Sequence, residues 1–150
     1  MLTGAFVAFG HFLAFFALAA ALVLELALIA ESMSVAVARR IQRADRVAGL
    51  SAVLLLLFGS LRALFYEKGA DYYLDNSFFQ IKIALFLLAA LVSAYPTICF
   101  RRWNSELAQD IAPGLSAIEV TRLKRAIHWE LMFIGAILVC ASLMAKGFGS

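Results

Sequence analysis

Among the ionisable residues inside apolar runs are His11, Glu25, Arg62 and Lys82. A charge in hydrocarbon costs roughly 2.5–3.5 kcal/mol even on the mildest scale, so such residues mark either a site or a pairing. Each type has a definite chemistry. An imidazole can ligate iron, guanidinium and ammonium groups hold carboxylates, and a carboxylate balances a cation. His11 is the candidate metal ligand, set among Phe9, Phe12, Phe15 and Phe16. The cofactor such a set would take is haem b, its propionates countered by Arg62, Lys82 or Lys68. Glu25, Arg62 and Lys82 also form a candidate buried charge network that leaves one excess positive charge for an anion. The plainer alternatives are an interfacial histidine bonded to lipid or backbone, and a buried ion pair that fixes helix register. No residue is assigned a catalytic role.

The elements that must position these residues are long and apolar. Of 150 residues, 64% are hydrophobic, and the mean hydropathy is +0.91. A soluble domain of this length cannot bury that much apolar surface, so the class is polytopic membrane protein. The pattern predicts one all-α transmembrane domain over residues 1–150, an antiparallel up-and-down four-helix bundle. Its spans are expected at about 3–38, 47–66, 78–100 and 120–146. Basic loops are expected at 39–46 and 101–119, and an acidic loop at 67–77. Asp45 is the expected N-cap of the second span. Pro96 should kink the third, and Ser116 with Glu119 has capping-box spacing for the fourth. At ~1.5 Å per residue from the basic residues, Glu25 stands ~21 Å above Arg39, Arg62 ~24 Å above Arg46 and Lys82 ~28 Å above Arg101. These three residues thus fall near one level, with His11 farther out.

Nine of the thirteen Lys and Arg residues lie at Arg39, Arg40, Arg43, Arg46, Arg101, Arg102, Arg122, Lys124 and Arg125. By the positive-inside rule the first and third loops are cytoplasmic and both termini outside. Trp103 and Trp129 are expected at the cytoplasmic interface. The net charge of +3 is thus a topology signal and no indication of nucleic acid. Positive charges follow the first apolar run instead of preceding it, which does not describe a cleaved signal peptide. Cys99 and Cys140 stand at different depths and are read as buried small apolar residues. Two distant histidines and two distant cysteines cannot build a tetrahedral metal site. No phosphate loop, nucleophile elbow or metalloprotease pattern is present. His128 is expected to bond locally to Glu31 or Tyr95, and Glu130 to snorkel beside Arg125.

The segments RADRVAGL, the Gly59 to Arg62 step, YEKGADYYLDNSFFQIK and SAYPT resemble a family of small four-span bacterial inner-membrane proteins with no assigned activity. That resemblance implies fold and location without chemistry. The first span, with His11 near its start, is similar to HemJ-type protoporphyrinogen oxidases and CopD-type copper-resistance membrane proteins. In the HemJ type the matching histidine is associated with haem. Glu25 and Glu31 stand where that type carries a basic and aromatic pattern, so the likeness implies haem at His11 without implying porphyrin oxidation. Three readings follow. The chain binds haem b near its outer half for electron transfer, it is an accessory subunit of a larger membrane complex, or it is a proton or anion pathway in an oligomer.

Overall fold

A computed structural model describes residues 2–66, 73 and 75–149. Among them there is no β-strand. The chain forms helices α1 (Leu2–Leu28), α2 (Val35–Leu61), α3 (Ser77–Arg102), α4 (Asn104–Ala108) and α5 (Ala117–Ala145), and a π-helical turn over Arg62–Tyr66 extends α2. Four of the helical stretches are long and apolar enough to cross a membrane. The architecture is therefore the all-α four-helix bundle that the hydropathy pattern predicts.

The first long run is not one helix. It divides at residues 29–34, and the expected basic loop at 39–46 lies inside α2. Ser34 is the N-cap of α2, its hydroxyl accepting from Val37 N at 3.2 Å. An N-cap oxygen satisfies a donor that the first helical turn leaves open, so the helix starts there and not at Asp45. Asp45 instead accepts a hydrogen bond from Thr97 Oγ1 on α3. Pro96 lies buried within α3. The capping box at Ser116 and Glu119 forms as its spacing predicts, with both reciprocal bonds present.

The helices pack as two hairpins, α1 along α2 and α3 along α5, with lighter contact between the pairs. The buried residues of α1 and α2 include the small Ala14, Ala21, Ala38, Ala44 and Ala48 beside Leu18, Leu22, Ile41 and Leu55. The small ones let helix backbones approach closely, which is how helices associate where water supplies no driving force. Many large apolar side chains also face outward: Leu13, Phe16, Leu50, Val53, Leu91 and Met132 are all exposed. This apolar outer surface suits contact with lipid acyl chains.

One end of the bundle carries the basic residues and is laced by hydrogen bonds. Arg39 donates to Leu107 O at 3.0 Å and to Asp110 Oδ1 at 3.1 Å. Gln42 Nε2 donates to Phe100 O at 2.7 Å and to Asn104 Oδ1 at 2.9 Å. Beneath them pack Ile29, Ile41, Phe100, Trp103 and Ile127. Trp103 is thus a core residue against Phe100, while Trp129 is exposed. At the opposite end Asn76 is fully buried. It caps α3 by accepting from Phe78 N and Phe79 N, and it donates to Phe148 O at 3.1 Å. Ser77 N donates to Gly149 O, so the C-terminal residues fold onto the start of α3. Of the expected acidic loop at 67–77, residues 67–72 and 74 lie outside those described.

Candidate functional site

Near the end of the bundle that holds both termini, the hairpins part around a cavity of about 570 Å³. His11, Phe12 and Phe15 reach it from α1, Leu55 and Gly59 from α2, Arg62 from the π-helical turn, Phe79, Lys82 and Phe86 from α3, and Met144 from α5. The structure thus brings His11, Arg62 and Lys82 together at a single, mainly apolar space. Its size lies within the range of small-molecule and cofactor sites, which combine apolar walls with a few convergent polar groups.

Local packing explains how each group arrives. His11 is half-buried, and its ring lies against Gly59; a Cβ built there would come within 3.2 Å of Cε1. Gly59 therefore lets the imidazole approach the α2 backbone. The neighbouring Gly10 meets the ring of Phe58 in the same way, at 2.8 Å from a built Cβ to Cζ. These two glycine–aromatic contacts fix the register of α1 on α2. Arg62 begins the π-helical turn, a wider winding often found where a helix re-aims a side chain at a functional site. Its guanidinium carbon lies 5.4 Å from the Phe12 ring centroid. Lys82 Nζ lies 5.0 Å from the Phe79 ring centroid. Aromatic faces attract cations at such distances and hold them at the cavity wall.

Glu25 does not line this cavity. Because α1 ends at Leu28, Glu25 falls in its final turn, about 21 Å along the helix from His11. A depth counted from Arg39 along one continuous helix does not apply to it. Glu25 is 1% exposed, and the charged groups that act on it are Asp45 and Glu130. Glu130, expected beside Arg125 at the surface, is 4% exposed and interacts with Ser93. Its burial was signalled by the stripe Leu123, Ile127, Glu130, Ile134, which follows the spacing of one helix face. His128 is exposed and bonds through Nδ1 with Lys124 O at 2.8 Å, within its own helix, instead of reaching Glu31 or Tyr95.

Cys99 and Cys140 are free thiols. Among the described residues no three His, Cys, Asp or Glu side chains are grouped to hold a metal ion. The cavity's donor set is a single imidazole with two cations, which fits a metal carried by an organic anion better than a bare ion. No curated protein and no solved structure matches the chain. Residues 3–149 match the pattern described as Predicted membrane protein (DUF2214), and the chain belongs to that family.

Proposed function

We propose that the protein binds haem b in the cavity near its termini and serves in membrane electron transfer. The observation that supports this most is the convergence of His11, Arg62 and Lys82, from separate elements, on one aromatic-walled space. His11 would hold the iron through a ring nitrogen. Arg62 and Lys82 would hold the propionates through charge-assisted hydrogen bonds, which are about twice as strong as neutral ones. Phe12, Phe15, Phe79 and Phe86 would cover the macrocycle and keep water from it. When bound, the haem supplies one-electron chemistry, and its potential follows from axial ligation and burial. In the same reading the basic end faces the bacterial cytoplasm and both termini face the opposite side, as the positive-inside rule requires.

The test is the absorption spectrum of the purified full chain. A Soret band in the wild type that is lost in His11→Ala supports the proposal. A colourless wild-type protein that takes up no haemin on titration refutes it. If that colourless protein co-purifies with a partner in fixed ratio, the accessory-subunit reading replaces it.

A further inference from the structure

We propose that Glu25 and Glu130 form a proton-exchanging carboxyl pair at the basic end of the bundle, reached from solution through Asp45. The two acids come from opposite hairpins, Glu25 from the last turn of α1 and Glu130 from α5. Both are more than nine-tenths buried. In each, Oε1 is sealed from solvent and has no hydrogen-bond partner among the described residues. Orphaned acceptors of this kind are rare in folded proteins, and each one asks for a donor.

All four long helices contribute to the surroundings. From α2 comes Asp45, half-buried and bonded to Thr97 of α3. Ser93, also on α3, interacts with Glu130. The charged groups acting on Glu25 are Asp45 and Glu130, and on Glu130 Asp45, so the pair's charged surroundings are acidic. Arg46, Arg122 and Arg125 are exposed nearby in sequence, and among the described residues neither buried acid forms an ion pair. Like charges in an enclosed apolar space repel strongly. A proton held by either acid lowers the repulsion and turns that carboxyl into a donor. Only O–H bonds form and break as that proton passes between solution, Asp45 and the pair. The site stands apart from His11 and does not depend on a cofactor.

The experiment is infrared difference spectroscopy of the full chain in liposomes, stepped from acidic to alkaline pH, on the wild type, Glu25→Gln, Glu130→Gln and Asp45→Asn. The expected result is a protonated-carboxyl C=O band that falls as pH rises and that either glutamine variant removes. Asp45→Asn should keep the band and slow its response to a pH jump. Dicyclohexylcarbodiimide, which captures protonated carboxyls in apolar places, should label Glu25 or Glu130 more slowly as pH rises. A wild type lacking any carboxyl band that these substitutions remove, or a band unchanged from acid to alkaline pH, overturns the proposal.

Discussion

Replacing Gly10 with alanine tests the helix register that delivers His11 to the cavity. The new Cβ would lie 2.8 Å from Phe58 Cζ, 2.9 Å from Cε2 and 3.1 Å from Cε1. Carbon atoms prefer separations of about 3.5–4.0 Å, so the ring must retreat by roughly 0.7 Å, or the helices must part. Overpacking of this kind costs about 1–3 kcal/mol. Against it stands a helix-propensity gain of about 0.8–1.0 kcal/mol for Gly→Ala. The net effect is a loss of about 0–2 kcal/mol. Gly135 supplies the control, since a Cβ there meets no heavy atom within 4 Å. Gly135→Ala should keep the propensity gain alone. The two variants should therefore differ by about 1–3 kcal/mol, or roughly 2–12 °C in Tm for a chain of this length. Thermal unfolding followed by circular dichroism in one detergent measures the difference. A Gly10→Ala protein that melts at or above Gly135→Ala would refute the seating of Phe58 on Gly10, and with it the register of α1 on α2.

Ser34→Ala removes the α2 cap and should lower stability by about 1 kcal/mol, read by the same unfolding assay, whereas Asp45→Ala should leave the start of α2 intact. Asn76→Ala should lose more, about 1–3 kcal/mol, because it strips the cap of α3 and leaves the Phe148 carbonyl without its donor. Arg62→Ala and Lys82→Ala should each weaken haemin binding about ten- to hundredfold, since a hydrogen bond to a charged group is worth about 1.5–3 kcal/mol. The same two substitutions should leave binding of the haemin dimethyl ester nearly unchanged, a contrast that fluorescence quenching of Trp129 or the Soret shift can follow.

Much of the fold was legible because membrane spans announce themselves by composition. Four apolar stretches, Ser116 with Glu119, and basic residues gathered toward one end indicate the bundle without tertiary information. The break at residues 29–34 was obscured because Leu28, Ile29, Ala30 and Met33 keep the run apolar across it. Arg39, Arg40, Arg43 and Arg46 look like a loop when counted as charge. The buried residues Ala38, Ile41, Ala44 and Ala48 interleaved with them carry helical spacing, and that pattern is visible in the sequence. Counting depth through the break lifted Glu25 toward Arg62. His11, Arg62 and Lys82 could be grouped because each is a polar residue in an apolar run near the same ends. Glu130 was harder to place, since a glutamate five residues after Arg125 suits a snorkelling role equally well. The stripe Leu123, Ile127, Glu130, Ile134 is the signal that favours burial over that role.

The measurement closest to the central claim is low-temperature electron paramagnetic resonance of the haemin-loaded protein. The wild type should give a ferric signal typical of imidazole ligation. That signal should be absent from His11→Ala taken through the same haemin loading. An identical ferric spectrum in wild type and His11→Ala would contradict that claim, placing the iron on some other ligand.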